Sequence, residues 1–511
     1  MRKYYILPYI FIATLLTSCL KDKSNYDYSA HEVITVGGIE KEYTRISTQE
    51  NITLKPTVSS SIPGAEFEYL WGIYETAVQG SAPVLDTIVK AKDIDYLVNQ
   101  PAKDWVLVFR VTNKKTGYSH YVNSTLHVVT PFTRGWYVAK GIAGKTDADL
   151  FSNKGSILPD IKTENVYSIN NGGKQLNGNP VQLNFFSDYK SNVVNSAVFA
   201  NTRTLVLVSD NDASAVNINT LKEIRSVNSL FYAPPVNKTT SFIASGNYGF
   251  FYNNNGSMHT IYNMSANTGQ FGGRHIKDAN NTDYKIAKYY MSGSVNGFFF
   301  DEISSSFVSV SPAGNQLVQV IDATTTEMLA NNTNKNLLYL GAKNGFPLDG
   351  YAVMQDKTNP GLKVISKISP ALQGASGFSI NNDTIDVSHK IFNAELYTLI
   401  VGDENMIYFS VGNEIWSRNL TNGFEQKQYT VPAGETIAYI RHKKYTSEAA
   451  YAHNYIAIGT NVGGNYKIRM FEKSAGNLSA NPAFTLEGTG SVGDVIYISP
   501  SVSTSTYVNT Y

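Results

Sequence analysis

The sequence predicts an all-β chain in two parts: an N-terminal β-sandwich over residues 32–130, then a β-propeller-like domain of about seven blades over 131–511. Three observations predict it. About a hundred residues from Glu32 break into short alternating or β-branched-rich runs bounded by turn residues. Beyond Thr130, paired short aromatic-rich strands around a Gly or Asn turn recur at a mean spacing of about 50 residues. Helical periodicity is almost absent; only stretches such as Glu448–His453 have a helical composition, and that one equally suits a loop.

Residues 1–18 read as a signal peptide. Arg2 and Lys3 precede the apolar run Tyr4–Leu16, which is long enough for export and too short to span a bilayer. The run ends in Leu16-Thr17-Ser18-Cys19, which resembles the lipobox of bacterial lipoproteins: an apolar residue, two small ones, then the cysteine that receives the lipid. Cys19 is the chain's one cysteine, so no internal disulfide can form; a free thiol, an intermolecular disulfide or a buried cysteine are the other readings. Lipidation at Cys19 implies an outer-membrane anchor. The cell surface is favoured over the periplasmic face, although Leu20-Lys21-Asp22-Lys23 supplies one acid between two lysines. Residues 19–31 form a polar tether, and no later segment approaches eighteen apolar residues.

Within 32–130 the strands expected are Val33–Val36, Ile52–Pro56, Phe67–Tyr74, Trp105–Thr112 and Ser119–Val129. The last two flank Asn113-Lys114-Lys115-Thr116-Gly117, whose glycine marks a hairpin turn. Trp71 and Trp105 are assigned to the sandwich core.

The Tyr69-x-Trp71 pair, followed by Val106-x-Val108-x-Arg110-Val111-Thr112-Asn113 and a Gly turn, resembles the PKD (polycystic kidney disease) repeat, an immunoglobulin-like sandwich. The lead-in from Asp22 to Tyr28, then Glu32-Val33-Ile34, is similar to the start of the PKD-like lipoproteins of Bacteroidetes. The Asp-Phe-Gly-Asp-Gly turn common in PKD repeats is replaced here by Gly72-Ile73-Tyr74-Glu75. The resemblance covers roughly residues 19 to 135.

After Thr130 the paired strands begin near Trp136, Leu205, Phe250, Phe307, Tyr351, Met406 and Tyr455. A repeat of this length built from short strand pairs is the signature of propeller blades. Val495–Ile498 is placed to complete the blade begun at Trp136 and close the ring. The competing architecture is a stack of β-sandwiches without a ring.

Lys and Arg number 42 against 41 Asp and Glu, with no long run of like charge, which argues against nucleic-acid binding. No motif carries catalysis. The eight histidines are scattered, without zinc-ligand spacing. There is no Gly-x-Ser-x-Gly elbow, and Gly144-Lys145-Thr146 lacks the first glycine of a phosphate loop. Gly488-Thr489-Gly490-Ser491-Val492-Gly493 matches the dinucleotide pattern but leads into a strand, so a Gly-rich turn is expected. Asp210-Asn211-Asp212 lacks the later ligands of a calcium loop and reads as a β-turn. Asp301-Glu302 and Asp403-Glu404 read as solvated turn acids, since neighbours on a strand face opposite ways while glycosidase carboxylates must converge. The sialidase-type Asp box is absent too. No catalytic residue, metal or cofactor is therefore assigned.

Charged residues make up only 16% of the chain, while Tyr, Phe and Trp make up 12%. Flat rings stack on sugar faces, so Trp136, Tyr137, Tyr408, Trp416 and Tyr439 are candidate ligand platforms, with blade cores as the competing role. The family resemblance implies a non-catalytic accessory of a polysaccharide-utilisation system, binding a polysaccharide or oligosaccharide beside a TonB-dependent transporter and its receptor lipoprotein. Two other classes stay open: a glycoside hydrolase or polysaccharide lyase at the propeller mouth, and a protein–protein adhesion module.

Overall fold

The computed structural model describes residues 31–75, 83–192, 197–246, 248–293, 296–370, 376–508 and 510. The expected signal peptide and Cys19 lie outside the described residues, as does all of the tether except His31. The chain divides into two compact units, residues 1–128 and 129–511.

The first unit is a sandwich. Its larger sheet has five strands, in the order Glu42–Ile46, Ser119–Val129, Asp104–Asn113, Phe67–Glu75, Asp86–Val89. Two-stranded sheets, Ile34–Gly37 with Thr57–Ser60 and Asn51–Leu54 with Ile94–Leu97, complete it. Alternation along the strands turns Trp71, Ile73, Leu107, Phe109 and Val111 into one core with Ile34, Ile52 and Ile94. Trp71 is fully buried, lies 4.5 Å from Phe109 between ring centres, and donates its Nε1–H to the Lys92 carbonyl at 3.0 Å. Trp105 departs from its core assignment. It is half-buried at the margin, with the Lys103 ammonium 4.6 Å over its ring. Gly117 takes the left-handed φ of +72° that the hairpin turn requires.

Among the described residues the second unit holds seven sheets, following one another in chain order. Each runs outward from an inner strand: Ser491–Ile498, Pro180–Asn192, Thr240–Gly246, Met291–Ser292, Lys335–Gly345, Tyr397–Leu399 and Thr436–Tyr445 for the first to the seventh. The first sheet joins both ends of the unit. Gly135–Ile142 pairs with Ser491–Ile498, with Trp136 opposite Tyr497 and Tyr137 opposite Ile496, which is the closure expected from the sequence.

Apolar side chains from both faces of each sheet lock it to its neighbours. Phe186, Val206 and Phe250 join the second and third sheets; Phe242, Phe251 and Phe299 the third and fourth; Phe298, Leu340 and Phe378 the fourth and fifth. Tyr339, Ile407 and Phe409 continue to the sixth, and Tyr408, Ile440 and Phe471 to the seventh. A last cluster, with Tyr455, Trp136, Tyr497, Leu183 and Phe185, binds the seventh sheet to the first and the first to the second. The ring therefore closes, as a propeller does and a stack of sandwiches does not. Each fully buried aromatic in these seams contributes about 1.5–3 kcal/mol.

The sequence repeat marks the second strand of each sheet at Leu205, Phe250, Tyr351, Met406 and Tyr455, whereas Phe307 falls on the third strand of the fourth sheet. Glu448–His453 contains a single 3-10 turn, Ala449–Tyr451. One short α-helix, Val166–Asn170, forms where no helix was expected, with Val166 and Tyr167 buried against the first two sheets.

Candidate functional site

Four of the five aromatic platforms are withdrawn as such by their burial. Trp136, Tyr137 and Tyr408 have no exposed surface, and Tyr439 has 2%. The Trp136 ring packs between His453 and Tyr497 at 4.8 and 5.1 Å. Tyr137 and Tyr408 donate their hydroxyls to the carbonyls of Phe132 and Gly476, both at 2.5 Å. Tyr439 lies flat over Gly459 on the neighbouring strand, where a Cβ would meet its ring at 2.5 Å. Their rings fill blade seams, the competing role. Trp416 is half-buried: its Nε1–H bonds to Glu414 at 3.0 Å and the Lys390 ammonium sits 5.3 Å over its ring.

The acidic pairs also depart from the solvated turns expected. Asp301 is fully buried and accepts Lys277 Nζ at 2.7 Å, the Lys285 N–H at 2.9 Å and the Ser304 hydroxyl at 2.6 Å, while Glu302 pairs with Lys285 at the surface. Asp403 and Glu404 converge on one cation, Lys473, with Asp403 at 2.9 Å. Burial alone would raise the Asp403 carboxyl, but the bonds from Lys473 and Asn454 hold it well below the usual carboxylate range. Asp210 accepts the Asn179 N–H at 2.9 Å and Asp212 the Ala213 N–H at 2.8 Å, so both are absorbed in turn geometry. Among the described residues no three His, Cys, Asp or Glu are grouped to hold a metal ion. The Gly488–Gly493 segment carries the chain from the last strand of the seventh sheet to the inner strand of the first. Gly490 turns at φ +99°, where a Cβ would lie 2.5 Å from the Gly141 carbonyl oxygen.

At the centre of the ring the inner strands leave a cavity of about 310 Å³. Its walls come from Gln182, Tyr290, Tyr339, Thr398, Arg441, Lys443 and Asp494, among others. Arg441 and Lys443 stand two apart on one strand, so both turn to the same face. Asp494, on the adjoining inner strand, is 3.8 Å from Arg441 Nε and 3.6 Å from Lys443 Nζ. Its oxygens are already bonded to the N–H groups of Leu183 at 3.1 Å and Val495 at 2.8 Å. Burial pulls the Lys443 ammonium below its ordinary range, against the opposing field of Asp494.

On the other face of the same strand, His442 takes the Val401 N–H on Nδ1 at 3.0 Å, which leaves Nε2 to donate to Asn454 at 2.7 Å. The ring is thus neutral, and burial pushes its pKa down to about 4. Asn454 in turn donates to Asp403 at 2.5 Å, tying the cavity wall to the Lys473 cluster.

Beyond Ile498, Thr506, Tyr507, Val508 and Thr510 also line the cavity. Thr504 bonds to Ser187 at 2.9 Å and Asp188 at 2.5 Å on the second sheet, and Tyr507 donates to the Tyr497 carbonyl at 2.6 Å. Thr510 Oγ1 accepts the Ala342 N–H at 3.0 Å and donates to the Tyr290 carbonyl at 3.1 Å. None of Arg441, Lys443, Asp494 and the lining residues after Ile498 is singled out by the sequence. The available signal was charge inside apolar strands: Arg441-His442-Lys443-Lys444 after Ile437–Ile440, and Asp494 between Val492 and Val495.

No curated protein matches the sequence. Among solved structures, the chain is similar to a quinonprotein alcohol dehydrogenase-like protein from Bacteroides thetaiotaomicron, with 12% identity, a TM-score of 0.39, and 92% of this chain and 99% of that one covered. It is similar to an ACO/RPE65 chimera at 7% identity and TM-score 0.38, covering 89% and 97% of the two chains. A third similar structure is BBS1N in complex with ARL6DN, at 9% identity and TM-score 0.36, covering 63% and 95%. At the sequence level, residues 19–180 match the PKD-like family, a span that holds the sandwich and runs on into the first sheet of the ring.

Proposed function

We propose that this protein is an outer-membrane lipoprotein, anchored through Cys19, that binds glycan without cleaving it as an accessory of a polysaccharide-utilisation system. A PKD-like segment joined to a propeller-like ring suits an adhesion or accessory module. The observation that carries the binding reading is the state of the ring's acids. Asp301, Asp403 and Glu404 are spent on Lys277 and Lys473, while the central cavity offers amide, hydroxyl and aromatic groups around Arg441, Lys443 and Lys444. Acid–base cleavage of a glycoside needs two converging carboxyl groups, one of them protonated. Asp494 is the one carboxylate among the described residues that line the cavity. The apolar run Tyr4–Leu16 leading through Thr17-Ser18 to Cys19, and the start of the PKD-like match at Cys19, support the anchor. Its partners in this reading are a TonB-dependent transporter and its receptor lipoprotein.

Residues 24–511, which contain both folded units, test this in native gels cast with a panel of polysaccharides, with reducing-sugar and unsaturated-product assays on the same mixtures. Retardation without products is the expected result. Products would establish an enzyme instead, and absence of both would turn the reading to protein–protein adhesion.

A further inference from the structure

We propose that the hairpin 400–405 of the sixth sheet is held by a proton-sensitive latch, which opens when His442 of the seventh sheet takes up a proton. The inference goes beyond the glycan-binding reading and holds whatever the ring binds.

The hairpin joins Tyr397–Leu399 to Met406–Val411 and is fastened to both neighbouring sheets. On the fifth, the Gly402 N–H bonds to the Lys343 carbonyl at 2.8 Å, and Lys343 Nζ donates to the Asp403 carbonyl at 2.9 Å. On the seventh, Lys444 Nζ donates to the Gly402 carbonyl at 3.2 Å, Asn454 donates to the Asp403 carboxylate at 2.5 Å, and Lys473 pairs with Asp403 and Glu404. The acceptors here are carbonyls, or carboxylates held below their ordinary range, so these bonds persist in mild acid. One fastening differs. The Val401 N–H is donated to His442 Nδ1 at 3.0 Å, and that bond exists only while Nδ1 carries no proton.

A proton on Nδ1 would set two N–H groups against each other. Nε2 offers no alternative, because it already donates to Asn454 at 2.7 Å. The added charge is opposed as well. Lys473 and Lys444 disfavour a positive ring, as does His453 on the adjoining strand, and Asp403 alone among the groups facing it favours one. Asp403 is itself shared between Lys444, Lys473 and Asn454, Glu404 pairs with Lys473, and Lys343 brings a further cation to the cluster. Burial adds to this and leaves the closed ring with a pKa of about 4. With the hairpin released the ring returns to about 6.5, so the open form binds the proton more tightly and acid favours opening. Val401 and Gly402 line the central cavity, and their release loosens that part of its wall.

Hydrogen–deuterium exchange of residues 24–511 tests this in peptic fragments covering Val401, with rates corrected for the intrinsic pH dependence of amide exchange. The two pKa values give an opening equilibrium that rises roughly 50-fold from pH 7 to 4.5, and exchange at Val401 should follow it. His442→Gln keeps an acceptor for Val401 and a donor for Asn454 without a titrating group, and should abolish the rise. Fragments from Phe199–Ser209 in the second sheet should exchange more slowly throughout, which separates release of the hairpin from unfolding of the ring.

Nitrogen NMR of the wild-type chain at pH 6 gives a reading that needs no variant: His442 should be neutral with its proton on Nε2. A protonated ring at that pH, a flat wild-type exchange profile, a rise that persists in His442→Gln, or equal rates in the two fragments would each overturn the proposal.

Discussion

Lys140→Met probes the seam that closes the ring. Lys140, on the Gly135–Ile142 strand, and Asp149, on its neighbour, form an ion pair of 2.8 Å with no exposed surface on either side chain. Asp149 also accepts the Tyr466 hydroxyl at 2.7 Å, from the seventh sheet, and the Asn165 N–H at 2.9 Å. Removing the cation leaves a carboxylate in the dry interior, which costs about 3–5 kcal/mol. The two surviving hydrogen bonds place the variant at the lower end, about 3 kcal/mol. Tyr466→Phe removes one bond to a charged acceptor and costs about 1.5–3 kcal/mol. The double variant Lys140→Met/Asp149→Leu removes both charges and should be more stable than Lys140→Met alone, because no charge is then stranded. Urea unfolding of residues 24–511, followed by near-ultraviolet circular dichroism, reads these differences. A Lys140→Met midpoint equivalent to less than about 0.5 kcal/mol of destabilisation, or a double variant weaker than the single, would refute the reasoning.

Acidification should destabilise the ring between pH 6.5 and about 4. Burial pushes His275, His442 and His453 down to about 4 from 6.5, so in that window the unfolded chain takes up protons that the folded one refuses and urea midpoints should fall; below it they should keep falling as carboxylates held low in the fold, Asp301 and Asp403 among them, are protonated. A flat profile across that window would contradict the neutral burial of these rings. Trp136→Ala should cost about 3–5 kcal/mol as a core truncation, whereas Trp416→Ala, at a half-buried strand position, should cost less and leave polysaccharide retardation unchanged. Loss of retardation in a folded Trp416→Ala variant would restore that ring as a platform. Gly490→Ala should destabilise by at least about 2 kcal/mol, since a Cβ at φ +99° meets the Gly141 carbonyl; thermal melting reads it, and a neutral result would mean the crossover relaxes freely.

The fold was legible because its signals are local. Period-two alternation and Gly or Asn turns mark hairpins directly, and the spacing near 50 residues marks the strand pairs that repeat around the ring. Closure was legible for the same reason: Val495–Ile498 reads as one more strand with no partner of its own nearby. Phe307 fell on the third strand of its sheet because Gly297-Phe298-Phe299-Phe300, the second strand, carries no alternation. The site was less legible. Trp136, Tyr408 and Tyr439 look alike in sequence whether they face sugar or a neighbouring sheet, since packing between sheets is set by contacts tens to hundreds of residues apart. Arg441 and Asp494 meet only when the first and seventh sheets come together. The convergence of Asp403 and Glu404 on Lys473 likewise depends on a strand about seventy residues further along the chain.

The most direct test is a crystal structure of residues 24–511 grown with an oligosaccharide of a polysaccharide that retards it in native gels. One sugar in the central cavity, its ring beside Tyr290 or Tyr339, is the expected result. A sugar bound on the outer surface of the ring, with the cavity holding only water at saturating concentration, would contradict it.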